Sequence, residues 1–134
     1  MIAVDTSVVV AAFASWHELH GAAAAVLDRR ARLPAQCALE TYSVLTRLPP
    51  PHRAPAGLVR EFLEEAFPDP YLTLATERYG ELIEVLARTG IVGGATYDAL
   101  VGVSARDAGA TLVTCDRRAR TTYERMGVAI ELVG

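Results

Sequence analysis

The sequence has 134 residues, 51% of them hydrophobic, so it is long enough for one domain with a core and too short for two ordinary domains. Its formal net charge of -3 gives no sign of the strongly basic surface that many nucleic-acid-binding proteins carry, although the distribution of charge matters more than its sum. No apolar run approaches the roughly 20 residues of a membrane-spanning helix, and the first residues lack the basic flank of a secretory signal. We therefore expect one domain over residues 1–134, in the cytoplasm and without a membrane partner.

The first half of the chain alternates short apolar runs with helical patterns. Asp5, Thr6 and Ser7 follow the opening apolar run and supply helix N-cap chemistry. The prolines from position 49 onward end a helical pattern that has Glu40 in its first turn, and they begin a loop at 49–55. The predicted elements in this half are strand 2–4, helix 8–13, helix 17–32, strand 33–36 and helix 39–48.

The second half continues the alternation. Its predicted elements are helix 58–66, strand 72–74, helix 76–88, helix 94–109, strand 111–114, helix 117–126 and strand 128–133. Strands that alternate with helices indicate a parallel sheet, because parallel neighbours need a crossover connection. The fold class is therefore α/β, with a central parallel-stranded sheet flanked by helices on both faces.

Four acidic residues lie at the ends of predicted strands or near the starts of predicted helices, and these positions are close together in such a fold. Asp5 directly follows the first strand, and Asp116 follows the strand at 111–114. Glu40 and Asp98 lie in early turns of helices. The carboxyl ends of parallel strands and the N-termini of the helices after them share one edge of the sheet, where ligands bind. Each acid alone could serve as a helix cap or dipole partner, but that role does not account for four acids at one place.

Close carboxylates repel one another unless a cation neutralises them. Their hard oxygen atoms suit Mg²⁺, with Mn²⁺ as the other possibility. A cation held in this way can activate water, orient a phosphodiester and neutralise charge on the attacking and leaving oxygens. The acid cluster thus predicts metal-dependent phosphodiester hydrolysis.

Short strings around the acids carry a family resemblance. They are Ile-Ala-Val-Asp-Thr-Ser at 2–7, Glu40 ahead of Leu-Thr-Arg-Leu at 45–48, Tyr-Asp-Ala at 97–99 and Leu-Val-Thr-Cys-Asp at 112–116. In combination, and in their order and spacing, they resemble a PIN-domain ribonuclease of the VapC toxin type. The resemblance implies a PIN-like domain over nearly the whole chain.

The resemblance also implies roles for individual residues and partners. Asp5, Glu40, Asp98 and Asp116 correspond to the catalytic acids, with Asp5, Asp98 and Asp116 as the metal ligands. Thr6 or Ser7 would help to position water, and Thr114 would buttress the site; the same hydroxyls also fit helix caps and strand-end partners, and both roles can coexist. The family further implies an Mg²⁺- or Mn²⁺-dependent endoribonuclease, a homodimer and a VapB-like antitoxin. Cleavage of cellular RNA would inhibit translation and growth.

Four arginines are candidate RNA contacts. Arg117 and Arg118 follow Asp116 directly, where they could bind phosphate or form the solvent face of a helix. Arg47 and Arg53 flank the proline-rich loop near Glu40.

Other polar and aromatic residues point to structural roles. Cys37 and Cys115 match no zinc or redox spacing and are expected to be buried free thiols. Trp16, His17 and His20 are expected at a packed junction between a loop and a helix, without a catalytic histidine.

The absence of lysine argues against two other function classes. A phosphorelay receiver domain or a haloacid-dehalogenase-like phosphatase would need a lysine, and this sequence contains none. Two alternatives stay open: a catalytically idle fold that serves as a protein-binding module, and a nuclease of the same family that processes RNA without being a toxin.

Overall fold

The computed structural model describes all residues from 1 to 134 and contains three strands and seven helices. The strands are β1 (Ile2–Val4), β2 (Thr111–Thr114) and β3 (Ile130–Leu132). The helices are α1 (Thr6–Phe13), α2 (His20–Leu27), α3 (Ala35–Thr46), α4 (Ala56–Ala66), α5 (Arg78–Thr89), α6 (Ala95–Asp107) and α7 (Arg120–Arg125).

The strands form one parallel sheet in the order β1-β2-β3, with Val4 opposite Val113 and Thr114 opposite Leu132. Successive side chains of a strand point to opposite faces of the sheet. Leu112 and Val113 are both fully buried, so helices and loops cover both faces of β2. The predicted α/β class with a parallel sheet is confirmed.

Two predicted strands, at 33–36 and 72–74, are wrong as regular strands. The chain at these places makes only isolated bridges, Ala3 with Arg32 and Pro34 with Leu72. Pro34 has no N–H to donate to a ladder, and it already occupies the N-cap position of α3. The bridges still attach the start of α3 to the edge of β1.

Two predicted helices are shorter in the structure. The segment 17–32 is helical only in α2, and the chain turns after it through Arg30, whose φ of 57° is left-handed. The segment 117–126 is helical only in α7, because the Asp116 carboxylate accepts a hydrogen bond from the Arg118 N–H and forms a local turn first.

The sheet brings two predicted site segments together. Asp5 is the N-cap of α1, and its N–H donates to the Val113 carbonyl, which extends the pairing of β1 with β2. The ends of β1 and β2 are therefore neighbours, and Asp5 and Thr114 lie side by side. No helix in the structure has the length and apolar character needed to cross a membrane.

Candidate active site

Asp5 is the most buried of the four predicted acids, with 4% of its surface exposed. Its Oδ1 accepts hydrogen bonds from the Ser7 N–H at 3.1 Å and the Ser7 hydroxyl at 2.5 Å. Its Oδ2 accepts from the Thr114 hydroxyl at 2.5 Å and the Tyr123 hydroxyl at 2.8 Å. Burial raises the pKa of Asp5, and the hydrogen bonds from Ser7, Thr114 and Tyr123 act in the opposite direction.

Thr114 joins Asp5 to Asp116. Its buried hydroxyl donates to Asp5 and accepts from the Asp116 N–H at 2.9 Å. The Ser7 hydroxyl makes a parallel link, since it donates to Asp5 and accepts from the Cys115 N–H at 2.9 Å. Both hydroxyls thus hold the chain after β2 in a fixed position relative to the start of α1.

Glu40 and Asp98 reach the site from helices. Glu40 lies in the second turn of α3, so its predicted place in a first turn is wrong: Pro34 caps the helix and α3 begins at Ala35. Its Oε2 accepts from the Thr6 hydroxyl at 3.0 Å, and its Oε1 accepts from the Gln36 side-chain amide at 2.8 Å. Asp98 lies in the first turn of α6 and accepts no hydrogen bond from the protein.

The four acids line one cavity of about 90 Å³, which we call the carboxylate cavity. Its lining residues are Asp5, Thr6, Ser7, Cys37, Glu40, Asp98, Val101, Asp116 and Tyr123. No arginine is among them. Burial, followed by the negative charges of Asp116, Glu40 and Asp5, raises the pKa of Asp98 to about 6. The charge of Arg118 opposes this rise only in part, so the carboxylates keep an excess of negative charge.

This donor set fits a hard divalent cation, because all its candidate ligands are carboxylate oxygens and it lacks cationic side chains. No three histidine, cysteine, aspartate or glutamate side chains are already arranged at metal-binding geometry. Asp5 and Glu40 accept hydrogen bonds from side chains, Asp116 accepts one from the Arg118 N–H, and Asp98 accepts none. The ligand set Asp5, Asp98 and Asp116 stays a prediction.

Three residues of this site were not predicted from the sequence. Tyr123 on α7 is 2% exposed, and its hydroxyl donates a hydrogen bond to Asp5. The two residues are 118 positions apart in the sequence, so no local sequence pattern predicts this contact. Gln36 supports Glu40 from four residues earlier on the same helix, a spacing that could have been recognised. Cys37 is buried against the same cavity.

Both cysteines are free. Burial raises the pKa of the Cys37 thiol, and the charge of Asp5 raises it further. The pKa of Cys115 is also raised, mainly by burial. Neither thiol is therefore a ready nucleophile, since reactive cysteines have a lowered pKa.

A second cavity of about 460 Å³, the adjoining groove, shares Thr6, Ser7 and Asp116 with the carboxylate cavity. The rest of its lining is Val10, His17, Leu19, Val44, Cys115 and Arg118. The Arg118 side chain is 96% exposed, and its Nε lies 3.6 Å from an oxygen of Asp116. The groove thus leads from the acids to the exposed guanidinium group of Arg118.

The other predicted arginine contacts do not line either cavity. Arg47 donates to the Ser43 hydroxyl, Arg53 to the Leu48 carbonyl and Arg117 to the Gly134 carbonyl. Arg118 is therefore the one arginine of the four that the fold places beside the acids.

The expected packed position of Trp16 is wrong. Its side chain is 52% exposed, and its ring lies 4.2 Å from that of His52, which belongs to the proline-rich loop. His17 lies beside the adjoining groove, where its Nδ1 accepts from the Leu19 N–H. In the neutral ring the proton is then on Nε2, which leaves a donor available there.

Comparison with known proteins matches the chain from end to end. The family model for the PIN domain matches residues 2–125. The chain is 54% identical over 133 residues to Ribonuclease VapC40 of Mycobacterium tuberculosis, and the match covers 99% of each chain. It is 44% identical over 131 residues to Ribonuclease VapC27 of the same organism, covering 96% of this chain and 94% of that protein. The family match includes every segment that contributes an acid to the carboxylate cavity.

Proposed function

This chain belongs to the PIN domain family of nucleases, and on that premise we propose that its carboxylate cavity cleaves RNA with the help of a bound divalent cation. One observation carries the proposal. Asp5, Glu40, Asp98 and Asp116 come from four separate segments and line a single cavity without a cationic side chain. Mutual repulsion of this kind destabilises a fold, so the arrangement is best explained by a ligand of opposite charge.

Mg²⁺ or Mn²⁺ bound there would supply positive charge that activates water and neutralises charge developing on the phosphodiester. Asp5, Asp98 and Asp116 are the residues that we propose hold it. Glu40 completes the set from α3, where Thr6 and Gln36 fix its two oxygens. The hydroxyls of Ser7 and Thr114 donate hydrogen bonds to Asp5 and thereby orient its carboxylate.

RNA would approach along the adjoining groove. Arg118 at its rim is placed to bind a phosphate oxygen, and its charge offsets that of the nearby acids. The apolar side chains of Val10, Leu19 and Val44 form walls against which a base could pack. This arrangement explains how an acidic protein can still accept a polyanion: the cation and Arg118 supply positive charge at the place of contact.

The proposal is tested with the purified protein and a mixed-sequence single-stranded RNA. Cleavage is expected with Mg²⁺ or Mn²⁺ and should stop in excess chelator, then return when the cation is restored. Arg118→Ala should raise KM by roughly three- to tenfold, because it removes the proposed phosphate contact at the rim of the groove.

Arg88→Ala is the matched control for this assay, since Arg88 is also exposed and lies on α5, away from both cavities. Chelator-resistant cleavage by the wild type would contradict the cation requirement. If the wild type and Arg118→Ala had the same KM, the proposed contact between Arg118 and RNA would be contradicted.

We further propose that the chain is the toxin of a pair with a VapB-like antitoxin and that it acts as a homodimer. The similarity to two VapC ribonucleases supports the pairing with an antitoxin, while the homodimer is an inference from the family resemblance alone. Expression of the chain alone should slow growth and translation, and co-expression with the product of the adjacent gene should relieve both effects. Unimpaired growth in cells that contain the active nuclease would favour the alternative of a nuclease that processes RNA without toxicity.

A further inference from the structure

Trp16 is the only tryptophan of the chain, and it is 52% exposed to solvent. A single exposed apolar side chain is ordinary, but this one belongs to a group of rings. The centroid of its ring lies 4.2 Å from that of His52 and 6.2 Å from that of His17. We call these three residues the aromatic cluster. Through His17 the cluster reaches the lining of the adjoining groove.

The adjoining groove follows two neighbouring helices away from the acids. Close to the acids, the Thr6 hydroxyl on α1 donates a hydrogen bond to Glu40 on α3. Residues four positions apart lie on the same face of a helix. The residues four positions after Thr6 and Glu40 are Val10 and Val44, and both line the groove. The two helices therefore run side by side along the groove.

The chain that leaves each of these helices carries one ring of the contact between Trp16 and His52. Helix α1 ends at Phe13, three residues before the tryptophan, and α3 ends at Thr46, ahead of the proline-rich loop that contains His52. Helix α1 is about 10 Å long at 1.5 Å per residue. The aromatic cluster therefore lies at the end of the groove that is remote from the acids, where a single RNA strand can reach both.

Hydrogen bonds hold the two segments that carry these rings. In the turn after α1, the His17 N–H donates to the Ala14 carbonyl at 2.9 Å. In the proline-rich loop, the Ala54 N–H donates to the Leu45 carbonyl at 3.0 Å, which attaches the loop to α3. The exposed ring of Trp16 is thus held in place before a ligand arrives, so binding to it costs little ordering of the protein.

The charges around the aromatic cluster favour a polyanion. Residues 47–55 include two exposed arginines, Arg47 and Arg53, and no acid. Glu18 is the single acid among residues 14–20. Positive charges therefore outnumber negative ones on these two segments, although the whole chain has a formal net charge of -3. An exposed aromatic ring beside positive charge is the combination by which proteins bind single-stranded nucleic acid.

From this placement we infer that Trp16 is a base-stacking residue of the RNA site. A nucleobase of the substrate packs on the exposed ring of Trp16, which His52 supports, and the strand continues along the adjoining groove to the acids. Stacking needs an aromatic face and no particular pattern of donors and acceptors, so this contact holds the strand without reading the edge of the base. The assignment rests on the proposed function and adds to it a binding subsite beyond the groove.

The first test measures kcat/KM for cleavage of one single-stranded RNA in Mn²⁺. Trp16→Ala should lower kcat/KM by at least about fivefold, the effect expected for the loss of one base stacked on an aromatic side chain. Trp16→Phe keeps an aromatic face and should retain most of the activity, whereas Trp16→Leu should resemble Trp16→Ala. Tyr79→Ala is the matched control, because Tyr79 is 43% exposed on α5, away from both cavities, and it should keep the wild-type value.

RNA that lacks single bases separates stacking from a general disturbance of the fold. Each member of a panel of this RNA has a stable abasic sugar at one position and an intact sugar-phosphate backbone. At one position, loss of the base should lower the wild-type kcat/KM about as much as Trp16→Ala does, and it should have little effect on Trp16→Ala itself, which has already lost the contact. If every abasic position lowered kcat/KM of the two proteins by the same factor, the inference would be overturned and the proposed function would stand.

Tryptophan fluorescence observes the contact directly, because all of the emission comes from Trp16. The measurement uses Asp98→Asn, which lacks one of the proposed cation ligands and should cleave RNA slowly, and the anisotropy of a labelled RNA reports binding independently. Saturation with unlabelled RNA should quench the emission, and RNA without the stacked base should quench it much less. RNA that binds and leaves the emission unchanged would contradict the inference.

Two further outcomes distinguish this inference from the proposals on which it depends. A wild-type protein that neither binds nor cleaves the RNA would overturn the proposed function, and the inference with it. If Trp16→Ala cleaved every RNA of the panel as the wild type does, but was no longer inhibited by the product of the adjacent gene, the ring would belong to a protein interface. That result would overturn the inference alone.

Discussion

Asp98→Asn is expected to lower kcat/KM for RNA cleavage by at least about a thousandfold, because it removes the charge of one of the carboxylates that we propose bind the cation. Asp98 is the informative acid to change, since it accepts no hydrogen bond from the protein and asparagine has nearly the same shape. Asp5→Asn would also disturb the hydrogen bonds from Ser7, Thr114 and Tyr123. The measurement is steady-state cleavage of a fluorescent RNA at saturating Mn²⁺, with the fold checked by circular dichroism.

Asp28→Asn is the matched control for this prediction. Asp28 lies at the C-terminal end of α2 and lines a different cavity, so its change alters the net charge equally without touching the acids. It should keep wild-type activity. If a folded Asp98→Asn kept about a tenth or more of the wild-type kcat/KM, the catalytic role of Asp98 would be refuted.

The second large effect is a dependence of stability on pH that is specific to the cation-free protein. The pKa of Asp98 is raised from 3.8 to about 6 in the folded state. A group whose pKa is raised by folding contributes stability that is complete below its ordinary pKa and is lost as the pH rises through the folded value. Between pH 4 and pH 7 the cation-free fold should therefore lose about 1 to 3 kcal/mol through this carboxyl.

The comparison with Asp98→Asn isolates this contribution. Asp69 and Asp107 have lowered pKa values through their arginine partners and change stability in the opposite direction, but they do so equally in both proteins. In chelator, urea unfolding should find Asp98→Asn more stable than the wild type at pH 7, by about 1 to 3 kcal/mol, and the difference should vanish near pH 4. Saturating Mg²⁺ at pH 7 should remove or reverse the greater stability of Asp98→Asn, because the cation binds the wild type more tightly than the variant. A constant difference across this pH range would contradict the raised pKa of Asp98.

The sequence was sufficient to predict the parts of the site that depend on local order. Asp5, Thr6 and Ser7 stand between a strand and a helix, and the structure makes Asp5 the N-cap of α1. The apolar run before Asp116 is β2, and its parallel pairing with β1 places Thr114 next to Asp5. These predictions depend on the spacing of apolar residues and on helix-capping residues, and both are determined by residues close together in the sequence.

Features that depend on contacts distant in sequence could not be predicted in this way. The sequence predicts Pro34 inside a strand at 33–36, and in the structure it is the N-cap from which α3 starts, which moves Glu40 to the second turn. Tyr123 reaches Asp5 only because α7 packs over the small Gly102 of α6, a consequence of tertiary packing. The segments near Pro34 and Leu72 pair by single bridges, and apolar character alone does not distinguish such a bridge from a strand.

The most direct test of the central claim is anomalous X-ray diffraction from crystals of this protein soaked in Mn²⁺ at a concentration that supports full RNA cleavage. The account predicts an anomalous peak inside the carboxylate cavity, within coordination distance of oxygens from Asp5, Asp98 and Asp116, and no such peak in crystals of Asp98→Asn treated in the same way. An empty cavity in wild-type crystals under these conditions, or a peak only at a remote surface, would contradict it.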